Sequence, residues 1–163
     1  QDLRTHLAIL ILKQVQKMVA TGFMLNEIDC AKKNWFGFLI KTKLECEKNF
    51  EWLTFTIKNG KLLGKGSLTE NGNKYDFTIF CSPFFRGRFE RVIVESKKLK
   101  RSVDTHFNGD GTLCLYHPVY DLHQKPFVSL VDVIPWLSEW VYLYEKYLEF
   151  NVWLGPEYPH NIK

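Results

Sequence analysis

The sequence predicts an α+β fold in which a run of antiparallel strands lies between helices at the two ends of the chain. Three observations predict it. Residues 2–20 carry an apolar stripe at helical spacing, residues 38–95 alternate or break at tight turns, and residues 129–148 return to helical spacing with an aromatic stripe. Between strands and C-terminal helices lies the segment 104–118, where two glycines, an asparagine, two histidines and a cysteine crowd together.

The first stripe consists of Leu3, Leu7, Ile11, Val15 and Met18, with Arg4, Lys13, Gln14 and Lys17 off it, and reads as a helix packed on the sheet. Thr21-Gly22 ends it, glycine being the usual residue just past a helix. From Phe38 to Glu47 the alternation is nearly strict. Phe38, Ile40, Thr42, Leu44 and Cys46 would face one way and Lys41, Lys43, Glu45 and Glu47 the other, which reads as a half-buried strand with Cys46 in the core.

Trp52 to Lys58 reads as the next strand, and Asn59-Gly60 is the strongest kind of short hairpin signal. Leu62 to Leu68 follows, Asn71-Gly72-Asn73 turns the chain again, and Tyr75, Phe77, Ile79 and Cys81 form another inward row. Ser82-Pro83 breaks that strand and Arg88 to Glu95 is the last. Short connections make the set an antiparallel meander, since parallel pairing needs long crossovers.

Farther on, Ser129-x-x-Asp132 is a capping-box variant at the start of a short helix. Pro135 suits the first turn of a second one, which carries Trp136, Leu137, Trp140, Val141, Tyr144, Tyr147 and Leu148. An aromatic stripe of this kind is core rather than a ligand box.

The whole chain sets bounds. Its 163 residues fit one domain, 1–163, without repeat or linker, and 45% hydrophobic with 15% aromatic residues suffices for a buried core. No apolar run reaches membrane-spanning length, and Lys13 and Lys17 inside the first helical pattern are unlike a signal peptide. The cysteines at 30, 46, 81 and 114 form no Cys-x-x-Cys and no metal-like pairing with histidines, so neither a metal nor a cofactor is expected. Their irregular spacing favours reduced thiols and a cytoplasmic protein.

A net charge of +4 is mild. The basic strip Arg86, Arg88, Arg91, Lys97, Lys98, Lys100 and Arg101 lacks a nucleic-acid motif, so an acidic protein surface is the expected partner rather than DNA.

The chemistry lies in the central segment. Asn108-Gly109 and Asp110-Gly111 are turn signals, and Leu113-Cys114-Leu115 closes the loop on an apolar floor. Two readings of Cys114 stand side by side: a small buried thiol between leucines, or a nucleophile in a polar loop with His106, Asn108 and His117 close in sequence. A Cys114–His117 hydrolase dyad ranks last, because a three-residue separation in one loop and no bound carboxylate are a poor basis for one.

The His106-x-Asn108 element, a following glycine, and Cys114 before Leu115 resemble the active-site segment of ubiquitin-conjugating enzymes. The similarity is greater to bacterial relatives that accompany cyclic-oligonucleotide (CBASS) anti-phage operons. It extends through Leu113-Cys114-Leu115-Tyr116, Ile134-Pro135-Trp136, Glu139-Trp140 and the tail Trp153-Leu154-Gly155-Pro156-Glu157, from about residue 88 to the C-terminus. Two features depart from the eukaryotic pattern. Phe107 stands where those enzymes have Pro, with a shorter Asn-to-Cys spacing, and Phe127 stands where they carry a Trp.

The resemblance implies a ubiquitin-conjugating-like fold and a cysteine acyltransferase. Cys114 would form a thioester with the C-terminus of a protein, either a cyclic-nucleotide synthase or a ubiquitin-like protein, and pass it to a target amine. The resemblance gives Asn108 the role of donating to the oxyanion or holding the loop. His106 reads as ordering the loop through hydrogen bonds, and His117 and Asp121, by their position alone, as candidates to accept or orient the amine's proton. An activating enzyme would dock at the N-terminal helix, where Arg4, Lys13 and Lys17 lie, and would consume the ATP. The alternative is an inactive relative that recognises a ubiquitin-like tail or a partner protein; retention of Cys114 favours the enzyme.

Overall fold

The computed structural model describes residues 27–116 and 128–156. A helical stretch through 27–33 leads into helix α1 (Trp35–Asn49), followed by strands β1 (Leu53–Lys58), β2 (Lys61–Glu70), β3 (Asn73–Cys81) and β4 (Glu90–Glu95), and by helix α2 (Leu130–Phe150). The strands form one antiparallel sheet in the order β1-β2-β3-β4, so the α+β class and the meander agree with expectation. The N-terminal helix expected over residues 2–20 lies outside the described residues, as do His117, Asp121 and Phe127.

Both hairpin turns follow from their sequences. Asn59 and Gly60 have φ of 51° and 68°, and Asn71 and Gly72 have 49° and 74°, the left-handed pair that matches the twist of adjacent strands. Leu62 pairs with Ile57 on one side and Cys81 on the other, which aligns the inward rows of three strands. Tyr75, Phe77, Ile79, Val92 and Val94 are fully or almost fully buried in that face.

Two expectations are corrected. The segment 38–47 is helical, not a strand: it is the middle of α1. Its buried residues are Leu39, Thr42 and Cys46, a helical spacing, while Ile40 and Leu44 are exposed at 38% and 62%. The apparent alternation arose because Lys41–Glu45 and Lys43–Glu47 are ion pairs one helical turn apart, interleaved with apolar residues of which only some face inward. Cys46 is buried as expected, but on a helix; Cys81 is buried on β3.

The second correction concerns the C-terminus. One helix, α2, runs where two were expected, with Pro135 inside it. Proline removes a backbone donor there, yet Ile134 and Leu137 on either side are buried in the core, so packing carries the helix through. Its start is as predicted, with the Ser129 side chain accepting from the Asp132 amide.

Helix α2 joins the sheet to the loop that follows β4. Trp140 and Tyr144 stack at 4.8 Å, and both meet Tyr75 of β3 edge-on. Glu145 accepts from the Tyr75 hydroxyl and from Asn73 Nδ2. On the other side the Tyr144 hydroxyl donates to the Lys98 carbonyl and accepts from the Lys100 amide, while Trp140 Nε1 donates to the Thr105 carbonyl at 3.2 Å. One pair of rings thus fixes the loop against the sheet.

Among the described residues no helix is long and apolar enough to cross a membrane.

Candidate functional site

Residues 102–116 form an irregular loop in which many backbone groups are hydrogen-bonded. Thr105, fully buried, donates its hydroxyl to the Lys100 carbonyl and accepts from the Ser102 amide. Phe107 and Leu113 form an isolated antiparallel bridge, and the Leu113 amide donates to the Val92 carbonyl of β4 at 2.8 Å. The turn between them is closed by Gly111 N–H donating to the Asn108 carbonyl. Gly111 has φ of 79°, a conformation that glycine adopts without strain.

Three of the four sequence-predicted site residues meet here. The Cys114 amide donates to the His106 carbonyl at 2.8 Å, so these two residues are joined directly. His106 has φ of 58°, and its ring lies 4.5 Å from that of Trp153 in the tail. Asn108 Nδ2 donates twice, to Thr112 Oγ1 at 3.0 Å and to the Leu113 carbonyl at 3.0 Å. Cys114 is half-buried, in no regular element, with Sγ 3.8 Å from the Tyr116 carbonyl. The fourth residue, His117, lies outside the described residues.

The loop is polar at its tip. Asp110 Oδ1 accepts from the Thr112 hydroxyl at 2.6 Å and from its amide at 3.0 Å. These hydrogen bonds, reinforced by the positive charges of Arg88 and Arg91, hold the Asp110 carboxyl below the usual carboxylate range. Part of the basic strip is engaged by the protein's own backbone. Arg91 donates to the carbonyls of Arg86, Arg88 and Glu90, and Arg101 donates to that of Val94.

The other cysteines differ sharply. Burial, then the charges of Glu45 and Glu47, push the Cys46 thiol up to about 12, and burial pushes Cys81 up as well. At pH 8 a thiol of that kind is ionised to only about one part in ten thousand, and the thiolate is the reactive form. Alkylation of the native protein with iodoacetamide should therefore spare Cys46 and Cys81 while modifying Cys30 and Cys114. Peptide mapping by mass spectrometry checks this, and rapid labelling of Cys46 would contradict it. Cys30 is exposed and lies in a helical stretch.

Sequence reasoning gave Arg88, Glu90 and Tyr116 no part in the chemistry, yet they contact one another and Arg88 reaches the Leu113 carbonyl beside Cys114. Arg88 Nη1 donates to the Leu113 carbonyl at 3.2 Å, the same oxygen that Asn108 holds. Glu90 is 3% exposed, and burial, opposed by the Arg88 charge, raises its carboxyl above the usual range. The alternation of β4 signals that Glu90 points inward with Val92 and Val94, an anomaly for a carboxylate and the one clue available beforehand.

Among the described residues no cluster of histidine, cysteine and carboxylate side chains is arranged to hold a metal. In comparison with known proteins, residues 42–161 match the family model described as "Type II CBASS E2 protein", a span that takes in the four strands, the loop and α2. No curated protein and no solved structure matches the chain.

Proposed function

The chain belongs to the family of type II CBASS E2 proteins, and on that premise we propose that it is a ubiquitin-conjugating-like acyltransferase whose acyl carrier is Cys114. It would act in bacterial anti-phage defence, in the cytoplasm, with residues 1–163 forming a single ubiquitin-conjugating-like domain. The observation that carries this reading is the placement of Cys114. It is half-buried outside any regular element, with its own amide fixed by His106 and the preceding carbonyl fixed by Asn108 and Arg88. A sulfur presented from a held backbone meets the positional demand of acyl transfer.

The chemistry takes two steps. In the first, the Cys114 thiolate attacks the activated C-terminal carbonyl of a donor protein; a carbon–sulfur bond forms and the activating group leaves with its electron pair. In the second, an acceptor amine adds to the thioester carbonyl, the carbon–sulfur bond breaks, and sulfur leaves as thiolate. The nitrogen gives up its proton and an amide remains. We assign that proton to His117, oriented with Asp121, because both follow the nucleophile closely in sequence. The donor is the C-terminus of a cyclic-nucleotide synthase or of a ubiquitin-like protein, activated by a separate ATP-consuming enzyme that docks at the N-terminal segment.

For Asn108 the geometry supports the loop-holding role over oxyanion donation. Its amide nitrogen has two hydrogens, and Thr112 and Leu113 take one each. An oxyanion would have to draw one away from the loop. Asn108→Ala is therefore expected to cost about 1–3 kcal/mol of stability, the scale of two net hydrogen bonds. It should also slow thioester formation and acyl transfer by similar factors. Single-turnover kinetics of the two steps checks this; selective loss of the transfer step would return the oxyanion role to Asn108.

The test of the function is direct. Incubation with donor, activating enzyme and ATP should give a covalent adduct that thiol reductant cleaves. Donor binding without any adduct would leave the protein as a binding module instead.

A further inference from the structure

We infer that Glu90 is a positioning residue for Cys114, gripping the segment that holds the cysteine through Arg88 before it and Tyr116 after it. The inference deepens the acyltransferase reading and rests on it only for the purpose the positioning serves.

Both arms are visible in the contacts. Glu90 Oε1 lies 3.9 Å from Arg88 Nε, and the two side chains are 4% and 13% exposed. Arg88 then donates to the Leu113 carbonyl, one residue before the cysteine. Glu90 Oε2 accepts from the Tyr116 hydroxyl at 3.3 Å. Tyr116 is buried, with its ring against Trp136 at 5.7 Å and the Arg88 guanidinium 5.9 Å from its centroid. Its main-chain oxygen is the one beside Cys114 Sγ. One carboxyl group thus reaches both sides of the cysteine.

The arrangement is costly without a purpose. Burying a carboxyl group on a strand that could carry an apolar residue disfavours folding unless its oxygens are bonded and its charge compensated. Glu90 has a hydrogen bond on one oxygen and a guanidinium beside the other. Its neighbours along the inward row of β4, Val92 and Val94, show what the core alone requires there. Glu90 sits one strand end away, where the sheet meets the loop, and the groups it bonds belong to the loop or act on it.

The test reads Cys114 itself. Its alkylation by iodoacetamide, followed by mass spectrometry of the Cys114 peptide against free cysteine in the same tube, needs no donor protein. Tyr116→Phe removes only the hydroxyl, leaving the ring on Trp136. Releasing one hydrogen bond to the loop should raise the Cys114 alkylation rate roughly threefold to tenfold. Glu90→Leu should do at least as much, and the double variant should exceed Glu90→Leu by less than about twofold, since both cut the same arm. Glu90→Gln keeps one acceptor for Tyr116 but turns a donor toward Arg88, so its rate should fall clearly below that of Glu90→Leu without returning fully to wild type.

That rescue separates positioning from general packing, which Leu satisfies as well as Gln. A Tyr116→Phe rate equal to wild type would overturn the inference, as would a Glu90→Gln rate equal to that of Glu90→Leu. Should Glu90→Leu fail to fold, Tyr116→Phe and Glu90→Gln decide the matter alone. Absence of a thioester in the wild-type protein would remove the acyltransferase reading and leave these rates unchanged, so the two failures are distinct.

Discussion

Cys114→Ser is expected to abolish the reductant-sensitive adduct, giving either none or an oxyester that survives thiol treatment. Thiols cleave a thioester because sulfur exchange yields a similar acyl product, whereas an oxyester resists them. The serine hydroxyl is close in size to the thiol, so the loop should keep its bonds: the contacts that hold it run through the backbone of residues 106 and 114 and the carbonyl of Leu113. A hydroxyl ionises far less readily than a thiol, and loss of transfer should be on the order of a thousandfold or more. Cys46→Ser and Cys81→Ser act on buried core positions and should leave the chemistry working wherever folding survives. Cys30 is the competitor, being exposed and followed by Lys32 and Lys33. An adduct that persists in Cys114→Ala and vanishes in Cys30→Ala would move the nucleophile to Cys30.

Much of the sheet was legible because hairpin signals are local. Asn59-Gly60 and Asn71-Gly72 dictate left-handed turns, and the inward rows beside them then have a single register that buries their apolar residues. The helix α1 was not legible from alternation alone. Its apolar residues outnumber its buried ones, and Ile40 and Leu44 on the exposed side mimic the period of a strand. The charge pairs one turn apart were the better signal. Pro135 misled for a different reason: a local rule against proline gave way to the burial of Ile134 and Leu137, which no local rule contains.

The candidate site divides in the same way. His106, Asn108 and Cys114 stand within one segment, so turn chemistry drew attention to it, and the resemblance to ubiquitin-conjugating enzymes is what singled out these residues. Glu90 and Arg88 come from the start of β4 and the residues before it, and they reach the cysteine only because Leu113 bonds Val92 and lays the loop along that strand. Pairing between a strand and an irregular loop has no pattern in sequence. Only the misplaced carboxylate in an inward row hinted at it.

Trp140→Ala should be the most damaging substitution outside the loop, and it should reach the site through the core. Trp140 is 3% exposed, stacked on Tyr144 and edge-on to both Tyr75 and Phe107. Removing a buried indole deletes its packing and leaves a cavity, a loss of about 3–5 kcal/mol. The Thr105 carbonyl, bonded by Nε1, would also lose that donor at a residue with no exposed surface. Against a total of about 5–15 kcal/mol for a domain of ordinary stability, such a variant stands near the folding threshold. Trp140→Phe separates the two effects, since it keeps a ring beside Tyr75 and Phe107 but cannot donate to Thr105. Its stability loss should be smaller, about 1–3 kcal/mol, with the loop of residues 102–107 loosened more than the sheet. Hydrogen exchange checks this by comparing the amides of Thr105, His106 and Phe107 with those of β2 and β3. Uniform loss of protection across the sheet and the loop would mean that the indole nitrogen adds nothing to the hold on Thr105.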